Sequence, residues 1–212
     1  MFKLSHNQEN NYFTLTSRSD ALMRSIAHVL NVNNNLVVDN NRLDFEANSV
    51  ISLEDYMAKD DTNTYENTLS IVSSLTTQLE YLINVEQVTF YEYRTKNVLV
   101  VIFNEKVNFI YVSNNLLEIK KEKHIKFTKP FNREECFISP EIQNMKHIPT
   151  EINYKTIYYS LGSLATFFLF KKLFSKKEEA EEVLRPIAYT KLYWLLLRTL
   201  EIIPERRSII YV

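Results

Sequence analysis

Glycine is almost missing from this sequence. The chain of 212 residues contains Gly162 alone, whereas an average composition would include about 7% glycine. A loop that cradles phosphate groups with its backbone needs several glycines close together. The composition therefore excludes a glycine-rich nucleotide-binding loop.

Cysteine is equally scarce. Cys136 is the only one, so no disulfide can form within the chain, and this suits a reducing compartment. No electropositive Cys–His pair is visible near it, so we read this thiol as a small structural side chain rather than a reactive one. The four histidines show no metal-ligand spacing with one another or with Cys136. We predict neither a metal nor a cofactor.

Long hydrophobic runs and an excess of one charge are also absent. The longest uncharged run, Thr156–Phe170, is shorter than the roughly 17 to 25 residues that a membrane-spanning helix needs, which predicts a helix buried inside the protein and no membrane partner. The net charge of -1 gives no general attraction to nucleic acid. Residues 1–11 lack the apolar stretch of a secretory signal. We expect an intracellular protein, cytoplasmic or virion-associated.

A composition of 45% hydrophobic and 13% aromatic residues is enough to bury a sizeable core. Within residues 1–50, the pattern predicts a helix that begins at Asp20 and a β-hairpin over 35–46. Farther along, the pattern predicts a helix from the cap Ser52 through Met57 and a longer helix over 69–82. Strands over 98–103 and 107–112 follow, and then an irregular basic segment over 120–129. The rest of the chain is predicted to contain a short turn that starts at Pro140, a buried helix over 156–170, a helix through Leu184 with a capping box of Ser175 and Glu178, and a last helix over 189–202.

The stretch "FYEYRTKNVLV" leads into the first of those two strands. It resembles the catalytic loop H-R-D-L-K-x-x-N-I-L-V of protein kinases. The alignment places Glu92 at the catalytic Asp, Arg94 at the Lys and Asn97 at the Asn. Of these three positions, only Asn97 keeps the kinase residue.

Three later stretches also resemble kinase motifs. "FISPEI" resembles the A-P-E segment, with Glu141 as its acid, and "IPERR" resembles the late D-P-x-x-R, with Arg207 as its base. "IYYSLGSLATFFLF" is similar to the D-x-W-S-x-G helix and retains its Ser160 and Gly162. The resemblance implies an α+β, mainly α, kinase-like C-terminal lobe over 51–212, a reduced N-terminal segment over 1–50, and an ion pair between Glu141 and Arg207.

The groups that perform phosphoryl transfer are missing. At the D-F-G position, where kinases place a metal-binding Asp, this chain has Tyr111, and Asn97 alone cannot assemble a Mg²⁺ site. The resemblance therefore implies a pseudokinase that binds a protein partner around residues 92–97 and the basic segment. Abundant Asn, Ile and Lys suggest an AT-rich genome such as that of a large DNA virus, and hence a virion or assembly role. The enzymatic alternative is an atypical kinase that uses Glu92 and Asn97, with a partner completing its nucleotide site.

The basic segment permits a third function. With Phe127, its lysines could contact phosphates and stack a base of a nucleic acid, which predicts a steeply salt-dependent affinity. A solvated loop explains the same residues. These lysines are Lys120, Lys121, Lys123, Lys126 and Lys129.

Overall fold

The protein consists of helices and short antiparallel sheets, so the fold is mixed α+β, as the sequence predicted. The computed structural model describes residues 2–7, 11–30, 36–174 and 177–209. The strands are β1 Lys3–Asn7, β2 Tyr12–Thr16, β3 Leu36–Asp39, β4 Arg42–Glu46, β5 Ser49–Ser52, β6 Val88–Thr89, β7 Val98–Phe103, β8 Lys106–Tyr111, β9 Leu117–Glu118, β10 His124–Phe127 and β11 Thr150–Asn153. The helices are α1 Asp20–Leu30, α2 Leu53–Met57, α3 Tyr65–Asn84, α4 Pro140–Gln143, α5 Thr156–Phe170, α6 Lys177–Leu184 and α7 Lys191–Thr199, with 3-10 turns at Thr95–Asn97, Arg185–Ile187 and Pro204–Arg206. Of the helices within the described ranges, none has the length and hydrophobicity to cross a bilayer.

The first sheet has the strand order β1-β2-β4-β3, with every pair antiparallel. Phe13 and Leu15 on β2 and Leu43 and Phe45 on β4 are buried, because alternate side chains of a strand share one face. They form a common core with the apolar side of α1. β3 and β4 confirm the hairpin predicted over 35–46, although residue 35 lies outside the described ranges. Asn40 makes its turn with a left-handed φ of 43°.

The second sheet, β5-β7-β8, leads to the candidate site. β7 and β8 confirm the two strands predicted after the catalytic-loop match. β5 adds a third strand that was not predicted and ends at the cap of α2, where Ser52 Oγ accepts a hydrogen bond from the Asp55 backbone N–H at 3.0 Å. That cap was predicted and is confirmed.

Helix α3 supports this sheet from one side. It begins at the N-cap Thr64, packs on α1, α5 and β8, and buries Gln78. The Gln78 amide bonds both backbone groups of Tyr111, accepting from its N–H at 2.8 Å and donating to its C=O at 2.9 Å. Because these hydrogen bonds are buried, they hold the end of β8 firmly against the core.

Helix α5 covers 156–170, as predicted, and most of its side chains are buried. It contacts both α3 and α7. Helix α7 is shorter than the predicted 189–202, because Tyr189 has a left-handed φ of 66° and the helix starts only at its cap Thr190. The predicted capping box of Ser175 and Glu178 lies outside the described side chains.

The prediction of an irregular segment over 120–129 was wrong in part. His124–Phe127 forms β10, which pairs antiparallel with β11. Ile125 and Phe127 point inward and are buried, whereas Lys126 between them is exposed. This short alternation of buried and exposed side chains forms a strand because β11 pairs with it.

Candidate functional site

The loop between β6 and β7 is held by aromatic side chains. Phe90 and Tyr93 are buried, and their rings meet the Tyr111 ring at centroid distances of 4.8 and 4.7 Å. Tyr93 also exchanges two backbone hydrogen bonds with Phe137. The loop therefore has a fixed course, which determines where the polar residues between these anchors lie.

Glu92 occupies the catalytic-acid position of the resemblance but points into the protein. Its side chain is only 1% exposed. Oε2 accepts a hydrogen bond from Arg94 Nη2 at 2.8 Å, and Oε1 accepts one from Asn115 Nδ2 at 2.8 Å. Both oxygens are thus engaged, and the carboxylate is an internal anchor of the loop rather than a solvated acid.

Arg94 extends this anchor to a second segment. Its guanidinium donates to the carbonyl oxygens of Glu134 at 2.8 Å and Asn132 at 2.6 Å. The hydrogen bond with Glu92 raises the pKa of the Arg94 guanidinium, so the cation persists over the whole physiological range. Arg94 therefore ties the loop to residues 132–134.

Tyr111, at the metal-motif position, is a core residue. Its side chain is fully buried, and burial raises the pKa of its phenol, so the group stays neutral. Asn97 and Ser113 lie beside the hydroxyl, but neither meets hydrogen-bond geometry, and the hydroxyl has no partner among the described residues. A neutral phenol cannot replace a metal-binding carboxylate. Within the described ranges, no group of three or more His, Cys, Asp or Glu side chains could hold a metal ion.

A groove of about 680 Å³ opens beside the loop. Its aromatic floor consists of Tyr91, Phe127 and Phe131, with Tyr91 centroids 5.1 and 4.8 Å from the other two. Arg94 and Lys129 supply its charge, and none of its lining residues is acidic. The remaining lining residues are Asn114, Asn115, Leu116, Leu117, Thr128, Pro130 and Asn132. The groove is therefore aromatic and rich in amides. The charge of Arg94 is paired with Glu92, so Lys129 supplies the remaining positive charge of the lining.

The five lysines of the basic segment do not act as one patch. Lys129 lines the groove. Lys120 forms an ion pair with Glu151. The pair holds the pKa of the Glu151 carboxyl below its usual value. The other three, Lys121, Lys123 and Lys126, are exposed. The basic surface available to nucleic acid is consequently smaller than the sequence suggests.

Glu141 and Arg207, 66 residues apart, meet in the structure. Arg207 is fully buried, and Nη1 and Nη2 donate to the two oxygens of Glu141 at 2.5 and 2.9 Å. The guanidinium also donates to the carbonyls of Glu201 and Ile202 and lies 5.1 Å from the centre of the Tyr159 ring. This contact joins α4 to the residues after α7.

Cys136 lies at the rim of two cavities, of about 280 and 520 Å³, and is half-buried. Burial, reinforced by the negative charge of Glu92, raises the pKa of the Cys136 thiol to about 11. At neutral pH the thiol is protonated and a poor nucleophile.

Sequence reasoning found the polar residues of the loop but missed those that complete the site. Asn115 and Phe131 carry no motif, and they reach the loop only through the fold. No protein-family model matches the chain, and no curated protein matches it. The function must therefore be inferred from the residues themselves.

Proposed function

We propose that this chain is a kinase-like protein without phosphoryl-transfer activity and that it serves as a protein-interaction module. The observation that carries the proposal is the burial and hydrogen bonding of Glu92. A general base must reach the substrate hydroxyl at about 2.6 to 3.2 Å. Glu92 is buried, and both of its oxygens already accept hydrogen bonds from Arg94 and Asn115.

Several features support a kinase-like C-terminal lobe as the scaffold. The loop is followed by the hairpin β7–β8, α5 lies buried in the core, and Glu141 pairs with Arg207 across the fold. The buried phenol of Tyr111 supports the absence of metal-assisted chemistry. Residues that would organise the scaffold are present, and residues that would bind nucleotide and metal are replaced. A virion or assembly role, which the composition suggests, stays a prediction.

The groove beside the loop is the surface proposed for the partner. Aromatic and Arg side chains are enriched in interface hot spots, and Asn side chains can both donate to and accept from a peptide backbone. Phe131 is half-buried and offers apolar area above the nearly buried Tyr91, and Asn114 and Asn115 also line the groove. A protein segment lying in this groove would cover the position that a kinase uses for its substrate.

Addition of millimolar ATP and Mg²⁺ is expected to leave the melting temperature unchanged. A ligand that binds only the folded state at 100 times its Kd adds about 2.7 kcal/mol to the free energy of unfolding, which a thermal melt detects. An upward shift that disappears in Asn97→Ala but persists in Arg198→Ala, a change on the exposed side of α7, would instead support the atypical kinase. A phosphorylation assay with a generic protein substrate would then follow.

A photo-reactive amino acid placed at Thr128, an exposed residue of the groove wall, is expected to yield a discrete protein adduct in extracts of the source. The matched control carries the same group at Ser73, an exposed position on α3. An adduct of equal intensity at both positions, or at neither, would contradict a partner in the groove. Because ATP binding and adduct formation are measured separately, the two parts of the proposal can fail independently.

A further inference from the structure

A second surface, far from the groove in sequence, exposes aromatic rings to solvent. Tyr189 is 86% exposed and Trp194 is 47% exposed. Tyr193 lies between them, with ring centroids 6.4 Å from Tyr189 and 5.0 Å from Trp194. We call these three residues the aromatic face. Contiguous exposed aromatic area on a folded chain marks an interaction site rather than a stabilising feature.

The backbone holds the aromatic face in place. Tyr189 has a φ of 66°, a conformation that is unfavourable for a bulky residue and is retained only where the surroundings impose it. The surroundings here are the 3-10 turn at Arg185–Ile187 and the start of α7, where Thr190 Oγ1 donates to the Ile187 carbonyl and accepts from the Tyr193 N–H. The ring of Tyr189 is thus presented outward by a rigid turn.

The groove next to the aromatic face carries acidic side chains. It has a volume of about 510 Å³ and is lined by Glu181, Glu182 and Arg185, together with Tyr189 and Tyr193. Arg185 offsets one of the two negative charges. Carboxylates beside open aromatic rings suit a cationic group, which gains both ionic attraction and cation–π contact.

The same chain carries a matching cationic surface. Lys121 and Lys123 lie in the turn before β10 and Lys126 lies on β10; all three are exposed, and we call them the lysine ribbon. The segment 120–129 has five lysines against the single acid Glu122. Glu151 on β11 is occupied by Lys120. The lysine ribbon therefore presents long, flexible ammonium groups of the kind that the aromatic face and its acidic groove would bind.

We propose that two copies of this chain associate head to tail, with the lysine ribbon of one copy bound at the aromatic face and acidic groove of the next. The two surfaces differ, so the contact is heterologous and leaves an unused surface at each end. Association should extend beyond the dimer as concentration rises. It should weaken with salt, because exposed ion pairs are screened over about 10 Å at 0.1 M ionic strength.

Sedimentation velocity of the full chain over a range of concentrations tests this inference. The sedimentation coefficient of the wild type is expected to rise with concentration at low salt and less so at high salt. An aromatic variant, Tyr189→Gly with Trp194→Ala, and a charge variant, Lys123→Glu with Lys126→Glu, should each associate about tenfold more weakly or not at all. Glycine removes the ring at position 189 without steric cost at positive φ, so the melting temperature of the aromatic variant reports that the fold is intact.

An equimolar mixture of the two variants gives the decisive result. The aromatic variant keeps its lysine ribbon and the charge variant keeps its aromatic face, so the mixture should form a dimer that does not grow further. A monomeric wild type at every concentration would overturn the inference, and so would a mixture that stays monomeric. Association that is lost in the aromatic variant but intact in the charge variant would also overturn it, because the aromatic face would then pair with something other than lysines.

Discussion

Replacing Arg207 with alanine is expected to lower the free energy of unfolding by about 3 to 5 kcal/mol, as is typical when one partner of a buried ion pair is removed. Arg207 is fully buried and holds Glu141 with two hydrogen bonds. The variant would strand the Glu141 carboxylate, remove the hydrogen bonds that Arg207 donates to the carbonyls of Glu201 and Ile202, and remove the cation from the Tyr159 ring. Urea denaturation of both proteins measures the difference.

The neighbouring Arg206 is exposed and provides the control, since Arg206→Ala should change stability by no more than about 0.5 kcal/mol. Arg207→Lys should fall between the two, because lysine keeps the charge but not the bidentate geometry. Equal losses in Arg206→Ala and Arg207→Ala would show that the buried pair contributes little.

The same pair predicts a dependence on pH. Burial opposes ionisation of Glu141, but the hydrogen bonds and charge of Arg207 outweigh it and hold the pKa of that carboxyl below its usual value. A carboxyl whose pKa is lowered by folding stabilises the protein above its unfolded pKa of about 4.3, and this stabilisation is lost as the pH falls through the folded value. Glu141→Gln should therefore be less stable than the wild type at neutral pH, with a smaller difference in acid.

The elements that the sequence predicts well carry their pattern locally. α5 is a long uncharged run, and the apolar strand β7 is separated from β8 by the turn at Asn104 and Glu105, both with left-handed φ. β1 and β5 were not predicted, because each mixes polar and apolar residues over five positions or fewer and becomes a strand only through a neighbour. β10 and β11 depend on each other in the same way.

For the candidate site, the residue positions were predictable but their environment was not. Glu92 and Arg94 stand two residues apart, and their ion pair is local. The burial of Glu92 depends on Asn115 and on the carbonyls at 132 and 134, which the fold brings from 20 to 40 residues away. A sequence pattern does not contain that information, and solvation is what decides between a catalytic acid and a structural one.

This difference bears on the proposed function. A kinase catalytic acid must be accessible and free to accept a proton, whereas an anchor must have its oxygens occupied by hydrogen-bond donors. Glu92 meets the second description, and Arg94 joins it to the groove wall at Asn132. The Glu92–Arg94 pair therefore fixes the loop beside the groove in which we propose that a partner binds.

Gly162→Ala is expected to destabilise the protein by about 1 to 3 kcal/mol, the usual cost of overpacking a filled core. At an exposed site in the middle of a helix the same change would stabilise by about 1 kcal/mol, so the sign of the effect is diagnostic. A Cβ at position 162 would lie 2.2 Å from Thr199 Oγ1, 3.0 Å from Thr199 Cβ and 3.2 Å from Leu200 Cδ2. The space beside Gly162 is thus filled by Thr199 and Leu200, and a residue without a Cβ lets them pack against α5.

Thr199 cannot easily yield to the added methyl group. Its hydroxyl is buried and donates to the Leu196 carbonyl at 2.8 Å, and moving it would break that bond or shift α7. Thr199→Ala removes the closest atom, so the double variant Gly162→Ala with Thr199→Ala should be more stable than the sum of the two single changes predicts, by about 0.5 to 3 kcal/mol. Ser163→Ala, the next residue on α5 and only half-buried, is the matched control and should have little effect. Strict additivity in the double variant would mean that α5 and α7 are not in contact at this position.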